Sequence, residues 1–122
     1  MARSLALILI FLFFIAPQAL ADDRLSAGEM RKAVIGDWSG TWKSSSLQLS
    51  IAADGSVRGR YAGISASGSW TTRRAHDGDR FCLTFRAMLL SDTKCGELLR
   101  RGNNVLYGYL NRGKPRLWLR RS

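Results

Sequence analysis

Residues that do chemistry are scarce in this chain. It has one histidine, His76, and two cysteines, Cys82 and Cys95. A serine–histidine–carboxylate set would have to use His76. That residue lies in the turn-forming run Ala75-His76-Asp77-Gly78, and the chain has no G-x-S-x-G elbow. Two cysteines spaced C-x12-C and one histidine make a poor zinc set. Asp77 and Asp79 offer two carboxylates, where calcium takes roughly six to eight oxygens. Acids are few altogether, with nine Asp and Glu against nineteen Lys and Arg. These shortages predict that the protein is not an enzyme, and they predict no cofactor and no metal.

One long apolar run is present, residues 5–16, and it is near the N-terminus behind a single cation, Arg3. Pro17 and Gln18 break the run, and Ala19-Leu20-Ala21 follows with small residues flanking an A-x-A cleavage signal. Basic start, apolar middle and small-residue exit are the order of a secretory signal peptide. Twelve apolar residues fall short of the roughly twenty that span a bilayer. We therefore expect cleavage after Ala21 and a periplasmic or secreted mature chain, residues 22–122, with no transmembrane span. Its 101 residues make one domain. In an oxidising compartment two cysteines most simply pair with each other. A Cys82–Cys95 bridge closes a fourteen-residue loop, worth about 3 kcal/mol by loop entropy.

The charge is uneven along the mature chain. Residues 22–55 carry four cations and five acids, a net of −1, and residues 56–122 carry fourteen and four, a net of +10. Fourteen of the eighteen mature cations are arginine, which favours two-pronged contact with phosphate and carboxylate. Arg58, Arg60, Arg112, Lys114, Arg116, Arg120 and Arg121 are the candidate anion-binding residues, and the C-terminal hairpin is expected to bring several of them together.

Local patterning predicts a mainly β fold. Ser26 and Glu29 form a capping box, Leu25 and Met30 fit a hydrophobic staple, and Gly36 suits a helix exit, so a short helix is expected over residues 26–35. From there the apolar period is two. Leu47, Leu49 and Ile51 alternate with polar residues, Val57, Gly59 and Tyr61 oppose Arg58 and Arg60, and Phe81, Leu83 and Phe85 oppose Cys82, Thr84 and Arg86. Asp54-Gly55 is a hairpin turn. The count is about seven to eight short strands in an antiparallel meander that closes into a small barrel or folds into a sandwich. Glycines inside strands, Gly40, Gly59, Gly68 and Gly108, fit tight curvature. Such a short barrel is expected to be filled mostly by its own side chains. Trp38 and Trp42 share a strand face, and Trp118 has the parity opposite to Leu117 and Leu119, which sets it outside among arginines.

A helix running into Gly36-Asp37-Trp38 and then a meander resembles the calycin group, which includes lipocalins and small bacterial metalloprotease-inhibitor barrels. The resemblance implies that Gly36 and Trp38 are structural and that a late arginine, Arg116, Arg120 or Arg121, packs over Trp38. The chain is shorter than a lipocalin, which argues against a roomy ligand cavity. It is also similar to small exported Gram-negative proteins of unassigned function. That similarity rests on the helix into Gly-Asp-Trp, the Ala-Asp-Gly-Ser-Val-Arg-Gly turn, the cysteine pair and the closing Leu-Tyr-Gly-Tyr-Leu-Asn-Arg-Gly, and it implies no mechanism.

The expected function is an exported binding protein whose basic face engages an anionic envelope component: anionic lipid, lipopolysaccharide or acidic polysaccharide. The alternative is a calycin-type inhibitor or partner of a secreted hydrolase, using Asp22-Asp23-Arg24-Leu25 as the inserted segment. Nucleic acid fits the charge but not the compartment.

Overall fold

A computed structural model describes residues 22–87 and 90–122; the expected signal peptide lies outside the described residues. Ten strands and one helix follow one another: β1 Asp23–Arg24, α1 Ala27–Ala33, β2 Gly36–Trp42, β3 Ser45–Ile51, β4 Ser56–Tyr61, β5 Ile64–Arg73, β6 Arg80–Ala87, β7 Leu90–Gly96, β8 Leu98–Arg101, β9 Val105–Asn111 and β10 Lys114–Arg121. They form a single antiparallel sheet, ordered β1-β8-β9-β10-β2-β3-β4-β5-β6-β7, curled into a half-barrel.

Ten strands replace the expected seven or eight for two reasons. Leu25 is buried and its N–H donates to the Leu98 carbonyl, which draws β1 onto β8 as a two-residue edge. A single expected strand through Cys95 is broken at Glu97. A Cβ on Gly96 would run into the Tyr109 ring, and the Glu97 carbonyl accepts the Tyr109 N–H. The chain thus pairs with β6 before the break and with β9 after it. That break returns the last strands of the sheet toward one another.

Alternation puts Leu47, Leu49, Ile51, Val57, Phe81, Leu83, Leu106, Leu117 and Leu119 on the inner face, all buried. The strand-interior glycines face inward too. A Cβ on Gly40 would meet the Trp118 carbonyl, and one on Gly68 would meet the Thr84 carbonyl. At those positions neighbouring backbones approach too closely for any side chain, which is what permits the tight curl. Cys82 and Cys95 are direct cross-strand partners and form a disulfide, stapling β6 to β7. The bridge agrees with an oxidising, exported compartment.

Helix α1 closes one end. Its capping box is complete, with Glu29 N–H donating to the Ser26 hydroxyl and Ser26 N–H to the Glu29 carboxylate. It ends at Ala33, with Val34 as C-cap, two residues short of the expected end because Gly36 already pairs with Ile51 in the sheet. Asp79, in the turn before β6, accepts the Ala27 N–H at 2.7 Å. Its carboxyl is held below the usual range by the Ala27 and Ala75 amides. Arg31 Nε reaches the Thr72 hydroxyl at 3.2 Å. The helix is thereby tied to the sheet at both its start and its middle.

Candidate binding site at the open mouth

Among the described residues, three hairpins lie at the end opposite α1, and each is a two-residue turn with both residues in the left-handed region. They are Lys43-Ser44 (φ 48°, 72°), Ala62-Gly63 (50°, 81°) and Arg112-Gly113 (53°, 78°). This geometry matches the twist of the paired strands and is usually supplied by Asn or Gly. Lysine, serine, alanine and arginine adopt it at a cost of roughly 1 kcal/mol or more each. Two of the strained residues are cations.

Inside this ring of turns, the described residues leave a space in the half-barrel. A cavity of about 240 Å³ is lined by Trp42, Leu47, Tyr61, Ala66, Leu83, Phe85, Tyr109 and Leu117, with Asp92 and Lys94 at its side. The volume exceeds the roughly 150 Å³ that admits a benzene ring and falls below the roughly 300 Å³ typical of drug-sized sites. It suits one ring or a short acyl chain. The space lined by the described residues here is small and apolar.

Tyr109 forms the floor. Its ring meets Trp42 edge-on, centroids 5.2 Å apart. Its hydroxyl is shared between the Phe81 carbonyl at 2.5 Å and the Lys94 carbonyl at 3.1 Å, bridging β6, β7 and β9. Burial pushes its phenol far above the ordinary range. Asp92 and Lys94 oppose Phe85 and Leu83, so they point to the inner side where β7 leaves β9. Their charges are 3.5 Å apart and well exposed. The Lys43 ammonium is 5.8 Å from the Trp42 ring.

The predicted anion-binding residues do not form one cluster. Arg112 and Lys114 are at the mouth. Arg116 and Arg120 have the outward parity of β10, on either side of the buried Leu117 and Leu119. Arg58 and Arg60 are outside on β4, across β2 and β3 from β10. Arg121 is committed elsewhere. Its guanidinium donates to the carbonyls of Asn103, Ile35 and Ala33 at 3.1–3.3 Å and lies 4.4 Å from the Trp38 ring. Of the three arginines the calycin resemblance left open, Arg121 is the one over the tryptophan. Trp38 is 1% exposed, and its indole N–H donates to the Val34 carbonyl at 2.8 Å.

All nine carboxylates have local partners. Asp22 takes two hydrogen bonds from Arg101 and one from the Tyr107 hydroxyl, which hold its pKa at about 2. Asp23 faces Arg100, Asp77 faces Arg80, and Asp92 faces Lys94. Glu29 and Asp79 serve α1; Asp37 accepts from Ser50, Asp54 from Ser56, and Glu97 from the Leu110 N–H. Among the described residues, no carboxylate is within ion-pairing distance of Lys43, Arg58, Arg60, Arg86, Arg112, Lys114, Arg116 or Arg120. These eight cations divide between the mouth and the outer sheet.

No family model, curated protein or solved structure matches this chain.

Two expectations bear on function directly. Asp22-Asp23-Arg24-Leu25 is not a free arm: Asp22 is clamped, Asp23 and Arg24 pair with β8, and Leu25 is core. Trp118 is outside, as its parity requires, but the cation against it is Arg101 at 5.5 Å, not Arg116 or Arg120. Tyr107 stacks on the same tryptophan at 5.3 Å. Sequence reasoning missed the lining set, Trp42, Tyr61, Ala66, Phe85 and Tyr109, together with Lys43 and Lys94. Parity put most of them on the inner face. Nothing local said that their end of the barrel would stay open.

Proposed function

We propose that this chain is an exported, non-enzymatic binding protein for an anionic amphiphile of the cell envelope. The apolar part enters the mouth cavity, and the anionic group meets the cations of the rim, Lys43, Arg112 and Lys114. One observation carries this reading. An apolar cavity of about 240 Å³ opens between tight turns that hold two cations in strained backbone. Strain at a ligand-sized opening, where glycine or asparagine would relieve it, supports a binding role. The calycin-like assignment belongs to the same proposal, supported by Arg121 over Trp38.

The test uses the disulfide-intact mature protein and three ten-carbon probes: decanoate, decanol and decyltrimethylammonium. Tryptophan fluorescence reports binding, because Trp42 lines the cavity. Decanoate should bind, and its affinity should fall as salt rises. Decanol should bind about tenfold more weakly, the worth of roughly 1.4 kcal/mol of charge attraction. Ala66→Phe should abolish binding by filling the cavity. Equal binding of the cationic probe, or full binding by Ala66→Phe, would defeat the reading.

A further inference from the structure

We infer a second ligand site, on the outer face of β3–β6 and remote from the mouth: an oxyanion site for the phosphate group of a phosphorylated saccharide. Strand register builds it. Ser50, Arg58, Ser67 and Arg86 are successive cross-strand partners and form one outward row across β3, β4, β5 and β6. Arg60 lies two residues along β4 from Arg58 and pairs with Gln48 and Ser65 in the next row.

Neighbouring strands are about 4.8 Å apart, which separates the Arg58 and Arg86 backbones by roughly 10 Å, with Ser67 midway. Two arginine side chains span that gap and converge on one tetrahedral anion above the serine hydroxyl. A shallow groove of about 310 Å³ runs between them, lined by Ser56, Val57, Ser67, Gly68 and Ser69 as well as the two arginines.

Charge sets this face apart from the other outer face. On β8 the outward arginine, Arg101, is paired with Asp22. On β4–β6 none is. The nearest acid in the row, Asp37, is beyond Ser50 and engaged by its hydroxyl. Three exposed guanidiniums sharing a patch repel one another, and a doubly charged anion relieves this with forked hydrogen bonds. The source of the anion follows from the floor. Ser65, Ser67, Ser69 and Gln48 offer hydroxyl and amide groups on these rows, and no aromatic side chain lines the groove. Such a floor suits the hydroxyls of a sugar and gives an acyl chain nothing to bury.

The experiment titrates the disulfide-intact protein with glucose 1-phosphate, inorganic phosphate and glucose, following backbone amide NMR shifts of residues 65–69 and 86. Glucose 1-phosphate should shift those amides, inorganic phosphate should bind about fivefold or more weakly, and glucose should not bind. Arg58→Ser and Arg86→Ser should each weaken glucose 1-phosphate about tenfold, in line with losing one charge-assisted fork. Arg86→Lys, which keeps the charge and removes the fork, should also weaken it. The charge-matched pair Arg116→Ser and Arg120→Ser should stay within about twofold. Ala66→Phe at the mouth should change nothing here, which separates this site from the amphiphile reading. Inorganic phosphate binding as tightly as glucose 1-phosphate would overturn the saccharide assignment. An equal loss in the Arg116/Arg120 control would overturn the site in favour of diffuse attraction, and absence of any shift would overturn it outright.

Discussion

Trp38 and Trp42 are four residues apart on the same face of the same strand, and they have opposite fates. Trp38 faces the closed end. Val34 takes its indole proton, Arg121 covers its ring, and α1 lies above it. Trp42 faces the open end. It is half-buried, touches Tyr109 edge-on, and looks into the cavity beside Lys43. The same residue type is a keystone at one end and a wall of a binding site at the other. What differs is the cover: a capped helix over one end, three strained two-residue turns around the other. A barrel with strands this short can be closed at one end by a single seven-residue helix. The unfilled end is where apolar surface remains available to a ligand.

The largest expected effect breaks the comparison at its closed side. Trp38→Ala should cost about 3–5 kcal/mol of unfolding free energy, because the ring is fully buried and its site is held by α1 and Arg121. Trp42→Ala should cost about 1 kcal/mol, since its ring is half-exposed already, yet it should abolish the fluorescence response to decanoate. Urea titration of both variants decides this. Equal costs would mean that the mouth is as structural as the helix end.

A smaller effect sharpens the open side. Lys43→Asn replaces a lysine at φ 48° with a residue that tolerates the left-handed region. Stability should rise by about 0.5–1 kcal/mol, read as a shift in urea midpoint, while decanoate binding weakens. A stabilised variant with unchanged binding would remove Lys43 from the rim.

The smallest effect concerns pH and belongs to the closed side again. Asp22 has its folded pKa depressed to about 2, first by Arg101 and then by Tyr107. A depressed carboxylate stabilises the fold above its unfolded pKa, near 4, and that contribution is lost as pH falls from there toward 2. The thermal midpoint of the wild type should therefore fall over that window by more than that of Asp22→Asn, by a degree or two at this chain length. Parallel curves would show that the clamp contributes nothing to stability.

Much of this was legible in the chain. The capping box Ser26/Glu29 predicts α1, alternation predicts which side of each strand is inward, compartment and count predict the Cys82–Cys95 bridge, and inward glycines such as Gly40 predict tight curl. These signals are local, set by periods of 3.6 and 2 and by the conformational demands of single residues. Other features depend on contacts across dozens of residues. Arg121 was one of three arginines of similar prospect, and only the meeting of β10 with β2 chose it for Trp38. The break at Glu97 needs Tyr109 against Gly96. The arginine row Arg58–Arg86 needs the registers of three strands at once. Sequence alone determined the elements and their faces, because backbone sterics and burial act within a few residues. Tertiary structure decided which end stayed open and which cations stood unpaired, because register and curl are fixed only when the sheet turns back on itself.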